Sequence, residues 1–184
     1  MKIKLKDKIF EYRFATPKDV NKIYRFDRRI NSVQEDHQYY YSHSPKNILK
    51  KMSFGNKIYM VFYKSRLIAW ATIYTSIDKK RISNFNLSLA DSKKSGLLCA
   101  AAVSRKYRGY GIQKFLIKIR IDYLKKKHIK FVFVMVSPGN KYSLNNIKLF
   151  GFKFVKKIIS EKPEIINHKR VMVPNIDYNY RLNL

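Results

Sequence analysis

The stretch SGLLCAAAVSRKYRGYGIQKFLIKIRIDYLKK, Ser95 to Lys126, holds three signals in succession. Leu97 to Val103 is a nearly continuous run of apolar, mostly small residues, the pattern of a central strand covered on both faces. RGYGIQ follows, Arg108 to Gln113, with Gly109 and Gly111 set among basic residues. From there Ile112, Phe115, Leu116, Ile119, Tyr123 and Leu124 recur at i, i+3, i+4 and i+7, one apolar stripe of a helix. Lys114, Lys118, Lys125, Lys126 and Lys127 take the other face and the C-terminal turn, where cations suit the helix dipole. A second buried run, FVFVMV, Phe131 to Val136, closes the series. Strand, glycine loop, helix and strand make a β-α-β unit, because parallel strands need a crossover helix.

The loop admits two readings. Glycine lets backbone N–H groups turn outward with no Cβ in the way, and the free amides of the first helical turn add partial positive charge. With Arg105, Lys106 and Arg108 beside them, these groups form a cradle for a phosphate or pyrophosphate. The other reading is a basic surface turn at a strand end. A P-loop does not fit, because no Gly-Lys-Ser/Thr follows, and a Rossmann fingerprint lacks its third glycine and its place in a first β-α unit.

Upstream, RFATPKDVNKIYRFDRRI, Arg13 to Ile30, opens with a helix start: Thr16 as N-cap, Pro17 at the first position and Asp19 where a capping-box acid belongs. Val20, Ile23, Tyr24 and Asp27 then keep helical spacing, with Ile23, Tyr24 and Ile30 inward, after a short strand from Ile9 to Phe14. Ser44 and Pro45 start a second helix carrying Ile48, Leu49 and Met52. IYMVFY and LIAWATIY predict a hairpin across Lys64, Ser65 and Arg66, and ISNFNLSL, Ile82 to Leu89, a weaker strand. FKFVKKII, RVMV and YNYRLNL give the C-terminal part short extended pieces. The expected fold class is α/β, a single mixed, mostly antiparallel sheet with a central β-α-β unit and helices on both faces, in a single domain over residues 1–184.

Composition bounds the function. With 184 residues the chain is long enough to bury a core, and Cys99, its single cysteine, excludes an internal disulfide and points to a reducing, cytoplasmic setting. The N-terminus is charged throughout and no apolar run approaches the ~18 residues of a membrane span, so no signal peptide or span is expected. Forty Lys and Arg against 12 Asp and Glu give a net charge of +28, a field that attracts nucleic acid, acidic proteins and phosphorylated cofactors. A lysine-rich coding bias explains the lysines but not the scarcity of acids.

RKYRGYGIQKFL resembles the acetyl-CoA loop of the GNAT superfamily of N-acetyltransferases, [RQ]-x-x-G-x-[GA], with Arg108 first, Gly111 fourth and Gln113 where the family has Gly or Ala. RFATPKD is similar to the family's R-x-A-T-x-x-D opening, and SPGNKYSLNNIKLFGF, Ser137 to Phe152, to its segment after the fifth strand. The resemblance implies a GNAT-like fold and an enzyme that moves acetyl from acetyl-CoA, without a metal, to an amine acceptor. It implies that the strands Leu97 to Val103 and Phe131 to Val136 splay to admit the pantetheine arm. Backbone groups near Ala101 and Val103 would then bond the arm, and the amides of Arg108, Gly109, Tyr110, Gly111, Ile112 and Gln113 would hold the pyrophosphate. Ala100, Ala101 and Ala102 suit such a close approach, and suit plain tight packing equally. Asn140 matches a pantetheine contact and Ser143 opens or caps the following helix, although both residues also cap helices well.

In the family a tyrosine four residues before the Gly-Phe pair often protonates the leaving thiolate; here that position is Ile147, with Tyr142 and Ser143 nearby in sequence. No catalytic residue is assigned from the sequence. Glu35, Asp36, His37 and His43 cluster between the first two helices with Tyr39, Tyr40 and Tyr41, as a candidate acceptor wall or as a solvated loop. Cys99 reads as a small buried hydrophobe. Two other functions stay open: a nucleic-acid-binding module on this fold, and a CoA-binding protein without catalysis.

Overall fold

The computed structural model describes residues 1–31, 43–53, 55–77, 82, 85, 87–166 and 169–184, the side chains of 31 and 160–175 excepted. One eight-stranded sheet organises them. Strands β1 (Lys2–Leu5), β2 (Lys8–Phe14), β3 (Lys57–Tyr63), β4 (Arg66–Tyr74), β5 (Ser95–Val103), β6 (Phe131–Val136), β7 (Lys153–Ile166) and β8 (Lys169–Asn183) lie in the order β1-β2-β3-β4-β5-β6-β8-β7. Among these neighbours only β5 and β6 run parallel. The mixed, mostly antiparallel expectation therefore holds.

Helices cover both faces. Helices α1 (Val20–Asn31) and α2 (Pro45–Met52) lay Ile23, Phe26, Ile30 and Ile48 against Met60, Trp70 and Ala102 on one face. On the other, α4 (Ile112–Lys125) and α5 (Lys141–Leu149) bury Leu116, Ile121, Leu144 and Ile147 against Ile68, Ala71, Val132 and Val134. This double cover is why β3 and β4 read as continuous apolar runs: their interior positions are buried on both sides.

Several details differ from the sequence reading. A strand β1 precedes β2, the chain reversing through Lys6 at φ 54°. The turn between β3 and β4 is Lys64 and Ser65 alone, both left-handed (φ 46° and 62°), because Arg66 already pairs with Tyr63. The strand expected over Ile82 to Leu89 is not one. Ile82 and Phe85 are helical, Ser88 caps a short helix α3 (Leu89–Lys93), and the apolar residues sit at helical spacing, so that buried Phe85 stacks on Phe133 at 4.7 Å. The C-terminal pieces are two long strands, with β8 inserted between β6 and β7. Of the apolar residues carried by α2, Ile48 is buried and Leu49 is 46% exposed.

The turn into α1 is built as its sequence indicates. Asp19, 6% exposed, accepts from the Thr16 N–H and hydroxyl at 2.9 Å each, and from both terminal nitrogens of Arg13 at 2.7 Å. The Arg13 guanidinium holds the Asp19 carboxyl well below the usual carboxylate range. A carboxyl lowered on folding contributes stability above its unfolded value near pH ~4, and that contribution is lost as pH falls further. Asp19→Asn is therefore expected to lose about 1.5 kcal/mol at pH 7 in urea unfolding, with the gap to wild type narrowing below pH ~4.

Candidate active site

Strands β5 and β6 pair for only part of their length. The register runs from Ser95 opposite Phe131 to Leu98 opposite Val134 and then stops. On its other side β5 stays paired with β4, but the register slips from Ala71–Ala101 to Thr72–Cys99, which leaves Ala100 as the extra residue of a bulge. A bulged strand bends, and here the bend coincides with the end of the β5–β6 ladder. The result is a cleft of about 270 Å³ that passes between the two strands. Gln113, Ile117, Arg120, Ser143 and Ile147 line it from the α4–α5 side, together with Ala101 and Asn140, while Ala100 lines it from the α1–α2 face. His43, Cys99, Met135 and Asp177 also line it, and of these Cys99 and Met135 belong to the opposite sheet face.

The glycine loop leads into this cleft. Arg105 to Tyr107 form a single 3₁₀ turn, Arg108 is extended, and Gly109 and Gly111 take φ +82° and +80°. Gly111 is the N-cap of α4 and its carbonyl accepts from the Phe115 N–H at 2.9 Å, so the amides before Phe115 precede the helical ladder. No protein atom lies within 4 Å of a Cβ built on either glycine. Tyr107 and Tyr110 turn back on Phe10 (6.4 and 6.1 Å) and anchor the loop, with the Lys8 ammonium 4.6 Å above the Tyr110 ring. Exposed Arg105, Lys106 and Arg108 leave the loop surface positive. The turn is basic and glycine-rich, as both sequence readings require, and its amides add donors at a helix N-terminus beside an unpaired strand edge.

Ala101, Gln113, Asn140 and Ser143 are thus brought to one cleft, whereas Arg108 to Ile112 and Val103 do not line it: the former precede Gln113 in the chain and the latter is the last residue of β5. Gln113 has a structural task that a Gly or Ala lacks: its amide donates to Ser143 Oγ at 3.3 Å and accepts from Asn146 Nδ2 at 2.8 Å, joining α4 to α5. Asn140 is the N-cap of α5, its Oδ1 accepting from the Ser143 N–H at 3.1 Å; Ser143 lies inside the helix and does not open it. Ile147 is buried in the cleft wall, and Tyr142 is 86% exposed. Cys99 is half-buried and faces the cleft, rather than being a buried hydrophobe. Glu35, Asp36, His37 and Tyr39 to Tyr41 lie outside the described residues.

Two groups were not assigned from the sequence. Arg120, 3% exposed, donates through Nε to Leu116 O at 2.9 Å and through Nη1 to Thr72 O and Cys99 O at 3.2 Å each, and burial lowers its pKa to about 10. Asp27, fully buried on α1, accepts from Trp70 Nε1 at 3.2 Å and from His43 at its backbone N–H (2.9 Å) and Nδ1 (3.1 Å). The available signal was the same for both: an ionisable residue at an inward position of an amphipathic helix. Among the described residues no group of His, Cys, Asp and Glu is placed to hold a metal, and no helix is long and apolar enough to cross a membrane.

Residues 20–152 match the model of the acetyltransferase (GNAT) family. No curated protein sequence matches the chain. Among solved structures, a GNAT-family acetyltransferase from Listeria monocytogenes is similar at TM-score 0.74 and 17% identity over 100% of both chains. The ribosomal-protein-S18-alanine N-acetyltransferase of Escherichia coli is similar at 0.68 and 14%, over 95% of this chain and 93% of that one. The Salmonella typhimurium protein yncA, solved with its cofactor acetyl-CoA, is similar at 0.64 and 13%, over 95% and 93%. At these identities the likeness is one of fold.

Proposed function

Because the chain belongs to the acetyltransferase (GNAT) family, we propose that it is an acetyl-CoA-dependent N-acetyltransferase, a single domain that passes the acetyl group to a primary amine by direct attack. The observation that carries this reading is the parting of β5 from β6 after Leu98, beside a helix N-terminus capped by left-handed Gly111. An unpaired strand edge offers backbone donors and acceptors to an extended amide-bearing chain, and free helix amides offer donors to a pyrophosphate. The donor set therefore fits CoA: β5 from Cys99 to Val103 for the pantetheine amides, and Arg108 to Gln113 for the phosphates. The cofactor supplies an activated acetyl thioester.

The chain's own residues supply the remainder. Ile147 carries no proton to donate, so the departing sulfur depends on positive charge, and buried Arg120 brings that charge to the cleft wall. The cleft passes between the strands, which lets an acceptor approach from the side opposite the cofactor. The +28 field favours an amine carried on a polyanion, an acidic protein or a nucleic acid, over a cationic acceptor.

The test is to incubate the protein with acetyl-CoA and a panel of amines, peptides and charged tRNAs while following free thiol. Thiol release with at least one acceptor is expected, together with a thermal shift by CoA. Neither signal would remove the proposal, and a CoA shift without release would favour a binding protein. Asn140 separates its own two roles. Asn140→Ala is expected to lose about 1 kcal/mol of stability and Asn140→Ser to recover most of it, because serine caps equally well. CoA affinity should fall in both, since neither replacement carries the amide.

A further inference from the structure

The geometry points to His43 as the catalytic base that deprotonates the acceptor amine, with Asp27 as the positioning residue that holds it; this inference rests on the acetyltransferase reading above. His43 Nδ1 lies 3.1 Å from Asp27 Oδ2. A carboxylate only accepts, so Nδ1 carries the proton and the lone pair of the neutral ring is on Nε2. Asp27 itself is fixed. It is fully buried, its Oδ1 accepts from the indole of Trp70, and its Oδ2 also accepts from the His43 backbone N–H at 2.9 Å. The His43 ring meets Trp70 edge-on at 5.4 Å, and the next residue, Ser44, is the N-cap of α2, accepting from the Asn47 N–H at 3.2 Å. Both the ring and its backbone are therefore set by buried or capped partners, which is how a base is held in one orientation.

Position matches orientation. His43 lines the same cleft as Ala100 and Ala101, beyond the end of the β5–β6 ladder, and the other titratable groups on that lining are Cys99 from β5, Arg120 from α4 and Asp177 from β8. An ammonium acceptor first gives one proton to His43 Nε2, which returns it to solvent. The amine nitrogen then bonds to the acetyl carbon as the carbon–sulfur bond breaks, and the second nitrogen proton ends on sulfur. One amide, one thiol and one released proton balance an ammonium and a thioester.

The experiment measures kcat/KM by thiol release across pH, with the acceptor that the wild type uses, and CoA affinity in parallel. His43→Gln is expected to lower kcat/KM at least ~100-fold with CoA affinity unchanged, and to abolish the acid limb of the profile. Asp27→Asn should lower kcat/KM in the wild type but cost nothing further in a His43→Gln background, because it acts through His43; a purely structural role for Asp27 would lower activity in both backgrounds. Imidazole added to His43→Ala should restore part of the rate. Full activity and an unaltered acid limb in His43→Gln would overturn the assignment while leaving the acetyltransferase reading intact. A wild type that binds CoA but releases no thiol with any acceptor would overturn the transfer reading, and the base with it.

Discussion

Gly111→Val is expected to weaken CoA binding at least ~10-fold, a loss of roughly 1.4 kcal/mol. Gly111 sits at φ +80°, ψ 7°, where a β-branched residue is strained, and the left-handed conformation costs an ordinary L-residue about 1–2 kcal/mol. The valine must either bear that strain or rotate the peptide units on both sides, and those units carry the amides proposed to hold the pyrophosphate. Because no protein atom lies within 4 Å of the added Cβ, the effect is conformational and not a clash. Gly111→Asn provides the control: asparagine enters the left-handed region more readily, so stability should recover relative to valine. Any affinity still missing in that variant then reports on the space in front of the loop. Calorimetric titration with CoA is the measurement, and unchanged affinity in Gly111→Val would refute the loop assignment.

The same loop shows which features a sequence makes legible. Leu97 to Val103, Gly109 and Gly111, and the Ile112 to Leu124 stripe are local patterns whose periods and turn requirements are written in neighbouring residues, and the structure has the strand, turn and helix they predict. Ile82 and Phe85 failed because a short apolar stretch supports two periods, and contact with Phe133 across the fold decided for the helix. At the cleft, Gln113 was seen only as an irregularity. Its purpose depends on Ser143 and Asn146, 30 and 33 residues away, which local spacing cannot align. His43 was one member of a cluster until a carboxylate 16 residues earlier singled it out. Backbone events are the least legible. The slip that leaves Ala100 unpaired and the end of the β5–β6 ladder at Leu98 are differences in register, invisible in a run that reads LLCAAAV throughout.

Arg120→Ala is expected to lose about 3 kcal/mol in chemical unfolding and to weaken CoA binding beyond the detection of a structural control such as Asp19→Asn. Arg120 is a buried cation with no carboxylate partner among the described residues, and burial alone lowers its pKa to about 10. It stays protonated at neutral pH. The desolvation penalty is therefore constant through the physiological range, and is relieved only as pH rises from about 10 toward the higher value of an unfolded guanidinium. What offsets the penalty is its position: Nη1 donates to Thr72 O and Cys99 O, the residues that face each other where the β4–β5 register slips. The guanidinium thus supplies donors at the bulge that bends β5 away from β6. Alanine leaves buried carbonyls without them, at about 1–3 kcal/mol each, and opens a void beside the cleft. Arg120→Met separates the contributions, because it fills the volume without charge or donors. It should lose less stability than alanine yet lose CoA affinity to a similar degree, with faster amide exchange over Ala100 to Val103. A methionine variant with wild-type affinity and wild-type exchange would show that the bulge stands without Arg120, and that the cleft owes its shape to the strands alone.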